Sequence, residues 1–314
     1  MIIMNTYQRI RDLREVFMIN ELALSEGKIS LPDGTYREKL HIVRERLELS
    51  GESAGNTIIT YGDYADKKHG NGDNYGTFRS YTAYFGCERL WCENLTIENS
   101  AGDGSDVGQA VAAYIDCRRA YFRNVRFIAH QDTVFITPLP EKPVIPNSFK
   151  GPNENSPRLL SEVYFENCYI EGTIDFIFGG GNAVFDNCHI HSLRCKNGSS
   201  GYIAAPSTDK DNDFGFIFIG CRITGEAESS AYLGRPWRPY GRATYIDCDI
   251  DNSIVPVGWD FWGKEENKKT AVFSESEGTY SPARAEWAHC LTDGEKLRCI
   301  ELAERLKKAC TDGR

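Results

Sequence analysis

Asp132 and Asp175 occupy matching places in a recurring phrase. Asp132 lies eight residues after Asn124, and Asp175 lies eight after Asn167. Gln131 sits next to Asp132, and Gln109 precedes Gln131 by 22 residues. If equal offsets stack in space, two carboxylates and two primary amides converge. That set has the parts of an ester hydrolase. An ionised, positioned carboxylate can be a nucleophile. A second carboxyl with a raised pKa can serve as acid and then as base, and close contact between two carboxylates splits their pKa values. Amide N–H donors can hold the oxyanion of a tetrahedral intermediate. Arg235, in the run Leu233-Gly234-Arg235-Pro236-Trp237, can keep one carboxylate ionised and oriented. Trp237 offers an apolar face to a sugar ring. Each residue alone also has a plain reading: a corner Asp, a solvated Gln, a loop Arg. The shared register is what favours chemistry.

Stacking needs a scaffold that repeats. Asn94-Leu95-Thr96-Ile97 is followed by Asn124-Val125-Arg126-Phe127 and Asn167-Cys168-Tyr169-Ile170. Then come Asn187-Cys188-His189-Ile190, Gly220-Cys221-Arg222-Ile223 and Asp247-Cys248-Asp249-Ile250. The starts are spaced by 30, 43, 20, 33 and 27 residues. Short runs of period-2 alternation indicate strands. Repeats of this length indicate a solenoid whose coils bury their apolar faces on one another. The irregular pieces between them suit loops projecting from stacked coils, not the tight turns of hairpins. The expected fold is an all-β parallel β-helix. Its corner Asn and Asp satisfy turn backbone, and its Cys and Val form an internal ladder.

The ends read as helices. Ile10, Leu13, Val16, Phe17, Leu22 and Leu24 are at helical spacing, which predicts a helical cap over about 6–26. Leu297, Ile300, Leu302, Leu306 and Ala309 predict a C-terminal helix over about 293–310, with Thr292 or Asp293 as its cap. A cap shields the edge strands of the solenoid. The Pro-rich stretch at about 138–160 reads as a loop inserted between two coils, which accounts for the spacing of 43. One domain over 1–314 is expected.

Composition excludes several classes. The chain has 314 residues, 41% of them hydrophobic, which is enough for a large core. A net charge of −9 argues against nucleic-acid binding, which needs phosphate-neutralising Lys and Arg. No apolar run reaches membrane-span length, and the N-terminus lacks the features of a signal peptide. The expectation is a cytoplasmic chain with reduced cysteines, with secretion after loss of an export signal as the alternative. The eleven Cys show no zinc-ligand spacing and read as small buried apolar side chains. Gly51-Glu52-Ser53-Ala54-Gly55 matches a nucleophile elbow, but the following residues continue as a strand where the elbow needs a helix. Gly179-Gly180-Gly181 lacks the Lys of a phosphate loop and reads as close-packed backbone.

Taken together, the motifs resemble the pectin methylesterase (pectinesterase) family, with this chain a bacterial-type member. Gly34-Thr35-Tyr36-Arg37-Glu38-Lys39, Thr77-Phe78-Arg79-Ser80 and Gly108-Gln109-Ala110-Val111-Ala112 match its successive motifs. So do Gln131-Asp132-Thr133, Glu171 to Gly179, Leu233 to Trp237 and Gly258-Trp259. The resemblance implies a right-handed parallel β-helix and hydrolysis of galacturonate methyl esters with release of methanol. It implies Asp175 as nucleophile, Asp132 as acid and base, Gln109 and Gln131 as oxyanion donors, and Arg235 as the residue that orients Asp175. Trp237, Thr77 and Ile174 would contact the sugar. No metal or cofactor is implied. The partner is a methyl-esterified galacturonan or oligogalacturonide, with no nucleic acid or membrane, and a monomer is expected. In secreted plant members a disulfide joins the positions of Cys168 and Cys188; here reduced thiols are expected.

The acidic chain suits an esterified, neutral substrate, and the insert can wall the cleft. Three readings compete: a binding β-helix with a dead site, a pectate lyase or polygalacturonase-like enzyme, and an esterase or thioesterase for a non-sugar ester.

Overall fold

A computed structural model describes residues 18–70 and 72–312. The chain coils as the all-β parallel β-helix that the repeats predict. Eight strands, from Gly34–Arg37 to Asp249–Ile250, stack in chain order as one face. The other two faces merge into one 15-stranded sheet. They merge because Leu40–Gly51 and Ala83–Glu93 run unbroken through the corner between them. Beyond these strands the chain breaks into two strands at that corner, as in Val134–Ile136 and Glu162–Glu166.

The corner residues explain the recurring phrase. Asn94, Asn124, Asn167, Asn187 and Asp247 all adopt φ between 50° and 57°, and Gly220 adopts 58°. Asn, Asp and Gly are the residues that enter this left-handed region at low cost. Their side chains also bridge rungs: Asn124 Nδ2 donates to Asn94 Oδ1 at 2.8 Å, and Asn187 Nδ2 to Asn167 Oδ1 at 2.6 Å.

Inside the cylinder, like stacks on like. Phe122, Phe165, Phe185, Phe218 and Tyr245 form a column with neighbouring rings 4.2–5.2 Å apart and within 10° of parallel. Cys168, Cys188, Cys221 and Cys248 form a second, continuing Leu95 and Val125. All eleven cysteines are free thiols. Burial pushes the Cys92 and Cys188 thiols up, so they pack as unreactive apolar groups.

The ends differ in kind. A helix is present at Ile19–Ser25, while residues 6–17 of the expected cap lie outside the described residues. Glu38 caps this helix, accepting from the Ile19 N–H at 2.6 Å and the Asn20 N–H at 3.0 Å. Ile19 and Ala23 enter the core. The C-terminal helix, Asp293–Thr311, starts at a capping box between Thr292 and Glu295. It lies along the flank, with Ala303 and Leu306 packed on Tyr121, Tyr164 and Ile217. Among the described residues no helix is long and apolar enough to cross a membrane.

The 138–160 insert leaves after Val134–Ile136, which ends one turn of the coil, and returns at Glu162–Glu166, which starts the next, so it sits at a corner between them.

The corner and column make a paired prediction. Asn167→Val forces a β-branched residue into the left-handed region and should cost at least about 1–2 kcal/mol, whereas Asn167→Gly should cost much less. Phe165→Ala should cost about 3–5 kcal/mol by opening the ring column. Urea unfolding midpoints of the three variants check the ordering.

Candidate active site

Register brings the two aspartates together. Val134 pairs with Ile177, which sets Asp132 level with Asp175 on adjacent rungs, about 4.8 Å apart along the stack. The Asp132 N–H donates to the Ile174 carbonyl at 3.0 Å. Both residues turn the chain in the left-handed region, at φ 66° and 51°. Such outliers cluster at functional sites, where the surroundings enforce them. Both side chains are buried.

Arg235 follows the strand Ala231–Gly234, on a later rung. Its guanidinium makes a two-pronged bond to Asp175: Nε to Oδ1 and Nη2 to Oδ2, each 2.8 Å. Tyr202 and Trp262 hold it from two sides, with ring centres 3.7 Å and 3.9 Å from its Cζ. The fork geometry and stacking are specific to Arg.

The electrostatics separate the two acids. Burial pushes both carboxyls above the ordinary range. Asp132 rises further, because the charge on Asp175 adds to burial and Arg235 opposes only by distant attraction. For Asp175 the direct bond from Arg235 counters much of the burial. The surroundings therefore favour the proton on Asp132 and the charge on Asp175.

The glutamines approach from neighbouring loops. Gln131 precedes Asp132, and its carbonyl accepts from the Ala110 N–H at 3.0 Å. The same bonding pattern, Asp132 N–H to Ile174 carbonyl, marks Asp132 as level with Asp175, so the Ala110 bond puts Gln109 level with Gln131, as the spacing of 22 predicts. Both glutamine side chains line the same cavity. Gly104 makes room for Gln131: a Cβ there would meet Gln131 Oε1 at 2.6 Å and its Cβ at 2.8 Å.

That cavity holds about 400 Å³. Thr77, Gln109, Gln131, Asp132, Asp175, Arg235 and Trp237 all line it, as the sequence anticipates. Ile174, half-buried beside Asp175, is not part of the lining and contributes its carbonyl to Asp132. Sequence reasoning missed Tyr202 and Trp262; Tyr202 lies in a phrase that recurs one rung on as Ala231-Tyr232-Leu233-Gly234, the signal that could have found it. It also missed Val144, Ile145, Ser148 and Phe149, which the insert adds to the lining. A larger cavity of about 780 Å³ lies on the flank beside Val43, Tyr84 and Leu159, away from the paired carboxylates. Ser53 sits on a turn between two strands, its hydroxyl bound to Asp33 at 2.8 Å, with no His or helix in the elbow arrangement. At Gly179 a Cβ would lie 2.0 Å from the Ile136 carbonyl, so that run is close-packed backbone. Among the described residues no group of three or more His, Cys, Asp or Glu is placed to hold a metal.

Comparison with known proteins gives a consistent answer. The family model "Pectinesterase" matches residues 7–139 and 159–295, leaving out most of the insert. "Pectinesterase 31" of Arabidopsis thaliana is 35% identical over 279 residues, covering 85% of this chain and 79% of its own. "Pectinesterase 1" of Olea europaea is 32% identical over 284 residues, covering 87% and 69%. Among solved structures, a pectin methylesterase mutant in complex with a hexasaccharide superposes with a TM-score of 0.75 at 26% identity, covering 93% of this chain and 94% of that one. Pectin methylesterase PemA from Erwinia chrysanthemi gives 0.71 at 27%, covering 91% and 89%. Pectinesterase 31 and Pectinesterase 1 are plant proteins, whereas PemA is bacterial.

The charge assignment can be read directly. In a carboxyl ¹³C NMR titration, Asp132 should take up its proton at higher pH than Asp175. In Arg235→Gln the Asp175 titration should move up, because burial then acts without the guanidinium. An unmoved Asp175 would mean that the fork does not set its charge.

Proposed function

The chain belongs to the pectinesterase family, and we propose that Asp175 and Asp132 divide its ester hydrolysis between them as nucleophile and proton carrier. The reaction is that of a carboxylic ester hydrolase: methyl esters of galacturonate units are cut and methanol is released. The observation that carries the assignment is the two-pronged bond from Arg235 to Asp175, with Asp132 one rung away and free of it.

Asp175, ionised, attacks the ester carbonyl. Gln109 and Gln131 donate amide N–H to the oxyanion that forms. As the tetrahedral intermediate collapses, the C–O bond to the methoxyl breaks and Asp132 gives its proton to the departing methanol. Asp132, now a carboxylate, takes a proton from water as that water attacks the acyl-enzyme. The acid product leaves, with Asp175 again ionised and Asp132 again protonated. Trp237 and Thr77 meet the sugar, with Ile174 beside them giving its carbonyl to Asp132.

The substrate we propose is a methyl-esterified galacturonan or its oligomers, bound by a monomer. The chemistry asks nothing of its compartment, cytoplasm or exterior. The lyase alternative wants a cluster of carboxylates for Ca²⁺. The cavity's lining offers two, one of them held by Arg235.

Methanol release from methylated pectin or oligogalacturonates tests the reading. Asp175→Asn should lower kcat by on the order of 10⁴-fold or more, and Gln131→Ala by about 10²–10³-fold. The rate should fall at high pH as Asp132 loses its proton, and at low pH as Asp175 gains one. Arg235→Gln should move the low-pH limb upward, narrowing the active range. Retained activity in Asp175→Asn would end the assignment.

A further inference from the structure

We infer that the insert bars one end of the catalytic groove, so that the site receives the terminal units of a galacturonan and not its interior. The inference rests on the pectinesterase reading and extends it to the form of the substrate.

The groove's floor is the outer side of one sheet face. Pairing sets Tyr84, Tyr114, Phe135, Phe178 and Ala205 in one outward row across successive rungs. Outward aromatic rings on an open groove would meet solvent. Here Tyr114 and Phe135 are fully buried, at 0% exposure. Phe78 covers them from one side, with ring centres 6.1 Å from Tyr114 and 4.9 Å from Phe135.

The insert meets that cover from the opposite side. Phe149 packs edge-on to Phe78 at 5.5 Å. Gly151 presses its backbone on the Phe78 backbone: a Cβ at Gly151 would lie 2.6 Å from the Phe78 carbonyl oxygen and 3.0 Å from its carbon. Lys150 pairs with Asp73, on the stretch leading to Phe78, at 2.5 Å. At the far end of the insert, the Lys142 carbonyl accepts from Arg238 at 3.3 Å. The insert is thus tied down at Lys142 near its start and again at Lys150, within the stretch that touches the opposite loop.

This contact divides the face. On one side is the catalytic cavity, lined by Thr77, Phe78 and Phe149. On the other is a separate space of about 460 Å³, lined by His41, Arg79, Tyr81, Lys150, Gly151 and Glu154. A polymer lying along the floor would have to pass through the Phe78–Gly151 backbone contact. A chain whose end stops at the bar does not. The barring residues fall in the stretch that the family model leaves unmatched.

The test compares a short methylated oligogalacturonate with a long, uniformly methylated polymer, mapping which units lose methyl by mass spectrometry of end-labelled chains. The wild type should release methanol from both, confined in the polymer to units at one end. Its rate per ester should fall in inverse proportion to chain length. A variant with residues 141–157 replaced by a short Gly/Ser link should attack interior units, its rate per ester no longer falling with length. Lys150→Glu, which sets like charge against Asp73 and leaves the insert in place, should shift the pattern in the same direction to a smaller degree. Wild-type attack on interior units at the per-ester rate of the oligomer overturns the bar while leaving the pectinesterase reading intact. No methanol from either substrate overturns both.

Discussion

Two buried carboxylates stand one rung apart, and a single guanidinium is bonded to one of them. Charges in a poorly solvated site do not tolerate a second like charge nearby, so one acid keeps its proton. Arg235 decides which. It reaches Asp175 through two bonds and Asp132 through none, and Tyr202 and Trp262 prevent it from turning to the other acid. The proposed nucleophile and proton donor are thus two residues of the same type. Their difference lies in what surrounds them.

The spacing on which this depends belongs to the coil. Adjacent rungs of a parallel β-helix are held at the inter-strand distance, and parallel pairing admits no slip without turning every side chain inside out. The ring column and the cysteine column fix that register from within. Aspartate is also among the few side chains that sit comfortably in a left-handed turn, so the two corner positions suit the residue that the chemistry requires. Local backbone preference and catalytic need coincide at Asp132 and Asp175.

What repeats was legible in the sequence. The corner Asn residues announced the solenoid, and equal offsets from Asn124 and Asn167 put the aspartates on neighbouring rungs, as the pairing of Val134 with Ile177 bears out. Where the repeat falters, legibility ends. Trp262 acts through tertiary packing on Arg235, which leaves no local pattern. The insert was visible as an interruption. Its place at a corner, and its reach across to Phe78, depend on contacts between residues far apart in sequence.

That corner placement has an evolutionary side. The strands flanking the insert are each paired with neighbours on both sides, so the coil does not rely on the connection to hold its shape. Lengthening such a connection is cheap: each doubling adds only about 0.6 kcal/mol of closure entropy. Lineages can therefore lengthen or trim this one loop while the rungs bearing the aspartates stay as they are. Substrate preference and catalytic competence become separately heritable traits, with selection free to act on one without risking the other.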